Sequence, residues 1–413
     1  MEAFIEEGPL SMQLEALIRG YHNVDMKPGN HASNARIRAL RPGLWSPEQK
    51  QAALEAVADE IVKAPKMMKA GSGEASAPAG VLSLEDVAAF LSHLFSSIEI
   101  ECFVHGNFTD HDAGLIFNDI EKVHECPLKL RFPSVCIVIS AFDEGGTWKF
   151  QRPEERVVRL NASQHVLYCC TSKDPTEQNC ALEVYWQIGE DNLEQRVLAD
   201  AIDQQVMSEP LYDQLRTKEQ LGYSVSCSPR LTYGVLGFCI TAQSAAYGPA
   251  HLYRRVRAFM KSFRDTMASM TDKVFSTHMS SAAANKLQPD NTLNEEAQRH
   301  WPEINSGRRT FHVNVQEAHA MRLLEQSAVL KAYEEWFLTG ATRVPKPCLT
   351  LTVTGGGGKF TAADETKEME IAIADDREGS PAVPNSPVLV RIATPQAIFS
   401  PAEDRDLFPN LLG

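Results

Sequence analysis

The chain contains no uninterrupted apolar run of about 18 residues, so a membrane-spanning helix is not expected. Its nine cysteines are an odd count, and no two fall in Cys-x-x-Cys spacing. That usage fits reduced, mostly buried thiols in a cytoplasmic protein better than a disulfide framework. Cys169 and Cys170 are adjacent in the strand-like run HVLYCC and should point to opposite faces. Basic residues are in deficit, with 40 Lys and Arg against 54 Asp and Glu and a net charge of −14. No basic stripe offsets this balance, so nucleic acid is not expected as a partner, and basic or neutral peptides are the electrostatically easier ligands. Met1 to Gly20 is acidic and amphipathic, without the basic-then-apolar order of a signal peptide.

Recognisable catalytic motifs are also missing. No Gly-x-Ser-x-Gly elbow occurs. The run GGGGK at Gly355 to Lys359 lacks the Ser or Thr of a phosphate loop, is expected to have no helix after it, and reads as a turn. None of the 12 histidines opens a His-x-x-Glu-His or His-Glu-x-x-His pattern; His124 and Glu125 are followed by Cys126 and Pro127. His105, His111 and His124 lie close in sequence, but their spacing fits no established metal site. This chain is therefore expected to bind no metal.

At 413 residues the chain is long enough for two or three domains with substantial cores. Ser46 to Lys63 reads as a helix, and residues 65–80 (PKMMKAGSGEASAPAG) as a flexible insertion. Ser83 should cap a helix reaching Phe95, with Asp86 completing a capping box. The segment IEIECFVHG reads as a strand, followed by a helix over Ala113 to Val123. These elements suggest one α/β unit within residues 1–150. A second, residues 151–413, begins with HVLYCC and CALEVYWQI. In the latter Cys180, Leu182, Val184, Trp186 and Ile188 alternate onto one face, as in a half-buried antiparallel strand. Leu252, Val256, Phe259, Met260, Phe263 and Met267 recur at helical spacing and predict a core-facing helix. Helices over Thr271 to Leu287 and Val315 to Phe337 and the strand CLTLTVTG follow. Residues 355–387 read as an acidic surface excursion before VLVRIATPQAIFS rejoins the fold. The expected class is α+β.

The most informative stretch is LRTKEQLGY, Leu215 to Tyr223. Upstream, Leu198, Ala201, Ile202 and Val206 form an apolar stripe that is broken at Pro210 and resumed by Leu211 and Leu215, predicting a kinked or restarted helix. Gly222 would end it as a C-cap, and YSVSCS, a turn at Thr232 to Gly234 and VLGFCITAQS predict a hairpin opened by Tyr223. Arg216 and Tyr223 could then enter one cleft from adjoining elements. On spacing alone a blander arrangement competes, in which Arg216 pairs with Asp213 or Glu219 and Tyr223 packs at a strand edge.

The block SEPLYDQLRTKEQLGY, with HGN at His105 to Asn107 and DLFPNLL near the C-terminus, resembles the insulysin and pitrilysin-type family of inverzincin zinc peptidases. The match runs from partway into the third of the family's four homologous domains to the end of the fourth. The resemblance implies two homologous α/β sandwich domains with antiparallel-rich sheets, the first incomplete at its N-terminus. It also implies that Arg216 and Tyr223 reach a peptide held in a closed chamber. Zinc, as the cofactor of the complete enzyme, would be supplied by an N-terminal half, in cis or in trans. On this reading the chain is the substrate-enclosing half of a metalloendopeptidase, inactive alone, with peptides and the zinc half as partners. The alternative is a catalytically silent peptide-binding or scaffold homologue.

Overall fold

A computed structural model describes residues 7–41, 43–68, 84–96, 102–124, 137–139, 156–161, 164–306, 308–338, 346–378 and 388–395. Helices α1 (Glu7–Asn23), α2 (Pro28–Leu40), α3 (Pro47–Met68) and α4 (Leu84–Ser96) precede β1 (Cys102–Val104), α5 (Asp110–His124) and β2 (Ile137–Ile139). Pro28 occupies the first turn of α2, where its missing N–H has no helical partner to lose. The Ser46 hydroxyl accepts a bond from the Gln49 N–H and caps α3, which runs on through Pro65 to Met68. The insertion expected at 65–80 therefore begins as helix; its remainder, the Ser83 cap and the DLFPNLL segment lie outside the described residues. β1 and β2 pair antiparallel. Phe90 and Leu94 on α4 and Leu115 and Ile116 on α5 are exposed.

The larger sheet has six strands, β3 (Gln164–Thr171), β4 (Cys180–Glu190), β5 (Ser224–Thr232), β6 (Val235–Ser244), β7 (Cys348–Thr354) and β8 (Val388–Ile392), in the order β5-β6-β4-β7-β3-β8. The β5-β6, β6-β4 and β4-β7 pairings are antiparallel, and β7-β3 and β3-β8 are parallel. The mixed sheet with its helices bears out the α+β expectation. Tyr233 and Gly234 both take positive φ, 42° and 76°, which closes the β5–β6 hairpin with the handedness that matches strand twist.

β4 is buried on both faces, contrary to the half-buried strand that its alternation predicted. Leu182, Val184, Trp186 and Ile188 face the larger core, as expected. Ala181 and Tyr185 face a second core with Ala32, Ala35, Ala39 and Leu40 of α2. Helix α2, from the segment assigned to the first unit, thus covers the second unit's sheet. Glu183 and Gln187 are polar yet buried because each is matched, Glu183 by α2 and Gln187 by the 158–160 segment. Glu183 accepts from Ser33 Oγ at 2.6 Å and from Arg36 Nε, and Gln187 bonds the backbone of Val158 and Leu160. Cys169 and Cys170 do split between the two cores.

On the opposite face lies α8 (Pro249–Ala268), whose stripe Leu252, Val256, Phe259, Met260, Phe263 and Met267 is buried. At about 1.5–3 kcal/mol per large apolar side chain, this stripe is a principal anchor of the layer. Next come α9 (Asp272–Lys286), capped by Thr271, and α10 (Leu293–Asn305), capped by Thr292; α10 was not foreseen. The single helix expected over Val315 to Phe337 is two, α11 (Val313–Arg322) and α12 (Gln326–Phe337), separated at Leu323 to Glu325. Residues 355–387 are not a surface excursion throughout. Gly355, Gly356 and Gly357 pack so closely on the 174–179 loop that a Cβ at Gly356 would sit 2.4 Å from the Asp174 carbonyl oxygen. Helix α13 (Ala362–Glu378) then buries Met369, Ala372 and Ile373. Its acidic exposed face hid that narrow apolar stripe. No helix among the described residues is long and apolar enough to cross a membrane.

Candidate functional site

The site is built at the end of a long helical stretch. Asn192 Oδ1 accepts from the Gln195 N–H at 2.9 Å and starts α6 (Leu193–Asp200). The helix then widens into a π segment, Ala201–Met207, tightens as α7 (Ser208–Tyr212) and widens again over Asp213–Lys218. Pro210 sits inside α7, and the wider turn before it relieves the clash between its ring and the preceding carbonyls. The predicted kink or restart is thus a change of helical pitch. Single π turns inside α-helices are frequent at functional sites.

Termination differs from the expectation for Gly222. Glu219 closes the helix by donating its N–H to Gln214 O, and Gln220 takes the left-handed conformation, φ 52°. The Leu221 N–H reaches back to Leu215 O at 3.0 Å, and both leucine side chains are buried. Gly222 is required for a different reason: a Cβ there would lie 1.9 Å from the Gln243 carbonyl oxygen on β6. Tyr223 emerges immediately before β5, which Ser224 opens in place of the expected Tyr223.

These constraints bring Arg216 and Tyr223 together. The Arg216 guanidinium carbon lies 5.5 Å from the centre of the Tyr223 ring and 4.7 Å from that of Tyr212. Each such cation–π contact at an exposed site is worth about 0.5–1 kcal/mol, enough to order the guanidinium without consuming its hydrogen bonds. Tyr223 is 86 % exposed. Neither competing ion pair forms: Asp213 pairs with Lys218 at 2.8 Å, and Glu219 binds Arg255 and Gln214. Among the described residues, no carboxylate lies within ion-pair distance of Arg216. Tyr212 escaped the sequence reading, although its spacing of four from Arg216 on a helix was a usable signal. Arg255, on α8, had no local signal.

His105 of the HGN motif stacks on Phe103, with ring centres 5.6 Å apart, and meets the edge of His300 at 5.9 Å; its Nε2 lies 3.2 Å from Glu296 Oε2. Burial lowers the His300 pKa. This is an aromatic joint between β1 and α10. Among the described residues, no group of three or more His, Cys, Asp and Glu side chains is placed to hold a metal ion. The donors among the described residues are therefore not grouped as a zinc centre would need.

A family profile described as PQQ synthase PqqF-like, C-terminal lobe domain 4, matches residues 202–301, which include Arg216 and Tyr223. The chain is 29% identical over 366 residues to a nardilysin-like protein of Arabidopsis thaliana, covering 87% of this chain and 31% of that one. It is 28% identical over 264 residues to human insulin-degrading enzyme, covering 63% of this chain and 24% of that one. The crystal structure of pitrilysin superposes with a TM-score of 0.65 at 16% identity, covering 96% of this chain and 35% of that one. The chain spans less than a third of the length of both sequence relatives. An exposed tyrosine and an arginine with no carboxylate partner among the described residues, held at a π-distorted helix end, lie inside the region the profile matches, and along most of its length the chain is related to insulysin- and nardilysin-type peptidases and shares the fold of pitrilysin.

Proposed function

We propose that this chain is the substrate-enclosing, non-zinc-binding half of an insulysin-like metalloendopeptidase, and that Arg216 and Tyr223 grip the peptide. The observation that carries the reading is the arginine between two tyrosines. Its guanidinium faces are occupied by Tyr212 and Tyr223, while its N–H edges meet no carboxylate among the described residues. A planar donor held in this way suits a peptide carbonyl, and a charge-assisted bond of that type is worth about 1.5–3 kcal/mol. The Tyr223 hydroxyl, on a ring that is 86 % exposed, can donate to a carbonyl oxygen as it gains negative charge.

Because the described residues do not fit a zinc centre, the zinc on this reading belongs to an N-terminal half, in cis or in trans, and this chain supplies only binding and donor groups. Residues 1–150 are read as a partial third-domain-like unit and residues 151–413 as a fourth-domain-like unit. The free thiols suit a cytoplasmic setting. Insulin, which the human relative degrades by its name, is a first polypeptide to try.

The test uses the chain joined to, or mixed with, its zinc half and an internally quenched peptide. Tyr223→Phe should lower kcat by about a hundred- to a thousandfold with little change in KM, as loss of one transition-state donor does. Arg216→Ala should raise KM as well. If both variants stay within about twofold of the parent, the grip is refuted; if the parent itself shows no turnover but binds peptide, the silent scaffold reading replaces the enzymatic one.

A further inference from the structure

We infer that Arg255 is a positioning residue that keeps Glu219 away from Arg216, so that the Arg216 donors stay available to peptide. The inference rests on the reading of Arg216 given above. Glu219 lies three residues after Arg216 at the same helix end, a spacing at which opposite charges meet on a regular α-helix, and here the wider π turn still leaves the two at one terminus. They do not pair here. Arg255 Nε donates to Glu219 Oε2 and Nη2 to Oε1, both at 2.7 Å, and Gln214 Nε2 donates to Oε1 at 2.8 Å. The forked Arg255 bonds are the main cause that holds the Glu219 carboxyl below its usual range, and they raise Arg255 in turn. With both oxygens engaged, Glu219 has its negative charge largely satisfied from the α8 side.

The rest of the turn leaves Glu219 little freedom to find another partner. Its N–H is committed to Gln214 O, Leu221 is buried behind it, and Gly222 is pressed against the β6 backbone. Arg255 itself projects from a helix anchored on either side by Leu252 and Val256, both fully buried. The fork therefore ties the turn to the core layer. A planar bidentate pair holds one geometry, which a lysine ammonium cannot reproduce. Without Arg255, the freed carboxylate has two cations at its own helix end, Lys218, which Asp213 already engages, and Arg216, which has no carboxylate partner among the described residues. Capture of Arg216 would pull the guanidinium off the Tyr212 and Tyr223 rings and occupy its donors.

The experiment compares the parent with Arg255→Ala, Glu219→Gln and the double variant Arg255→Ala/Glu219→Gln, with melting temperature confirming that each is folded. Binding of a fluorescein-labelled neutral peptide of Ala, Phe, Leu and Gln is followed by anisotropy. Arg255→Ala should weaken binding about tenfold, the scale of one charge-assisted bond, and the double variant should recover to within about threefold of the parent. A purely structural role for Arg255 would not be rescued by a second removal, so equal weakness in the single and double variants overturns the inference. A second readout is the Arg216 Nε–H signal in arginine-labelled protein. Its hydrogen exchange should slow in Arg255→Ala and return to the parent rate in the double variant; an unchanged rate in Arg255→Ala also overturns the inference. If Arg216→Ala and Tyr223→Ala bind the peptide as tightly as the parent, the grip reading fails, while the exchange rates still decide whether Arg255 holds Glu219 away.

Discussion

The contact that commits α2 to the sheet can be tested by removing Arg36. Its guanidinium is buried against Glu183, at 4% and 1% exposure, and lies 5.7 Å from the centre of the Tyr185 ring. Glu183 keeps two other donors, Ser33 Oγ at 2.6 Å and the Cys239 thiol at 3.6 Å, but neither carries charge. Arg36→Met fills most of the volume yet leaves a carboxylate desolvated without a cation. Breaking one side of a buried pair typically costs about 3–5 kcal/mol. The Ser33 bond is present in parent and variant alike and does not alter the difference. The expected loss is therefore about 3–5 kcal/mol, and Glu183→Leu alone should cost a similar amount by stranding Arg36. The double variant Arg36→Met/Glu183→Leu removes both charges and should return to within about 1 kcal/mol of the parent, a coupling of more than about 2 kcal/mol. Urea unfolding followed by Trp186 fluorescence is the assay, because Trp186 is 2% exposed on the same strand. A midpoint shift at constant slope reads the stability change directly. Additive single effects, or singles that each cost under about 1 kcal/mol, would show that α2 is not held by this pair.

Asp203, in the first π segment, is pushed up to about 6 by burial, which outweighs the thiol bond donated by Cys227 at 3.3 Å. A carboxyl with a raised folded pKa binds its proton more tightly when folded, so its contribution is most favourable below about pH 4 and is lost as pH rises through about 6. Asp203→Asn should therefore stabilise the chain at pH 7.5 by up to about 3 kcal/mol and gain little at pH 4; an equal gain at both pH values in thermal melts would exclude ionisation as the cause. Gly222→Ala should cost more than about 2 kcal/mol, since its methyl would lie 1.9 Å from a backbone oxygen that cannot rotate away. A melting temperature within about a degree of the parent would show that the 219–222 turn adapts freely.

Much of this protein was legible along the chain. The period of α8, the β5–β6 hairpin and the strands CALEVYWQI and CLTLTVTG follow from local patterning, because a stripe or an alternation records which face is buried. Arg216 and Tyr223 were legible as a pair because helix end and strand start are both local events. What decided the rest was packing between residues far apart in sequence. β4 lost its solvent face because α2, more than 100 residues earlier, supplies Arg36 to its inner glutamate, with a sequence separation of 147. Residues 362–378 became a core helix because α8 offered an apolar surface that the acidic composition concealed. Gly222 proved to be a point of close approach to β6 and not a helix cap. The carboxylate of Glu219, which neighbours Arg216, is held by Arg255, 36 residues further along the chain. Local sequence determines which backbone conformations and charges are available; only the assembled layers decide which charge reaches which partner, because in a close-packed interior a polar group is stable only where its complement is delivered to it.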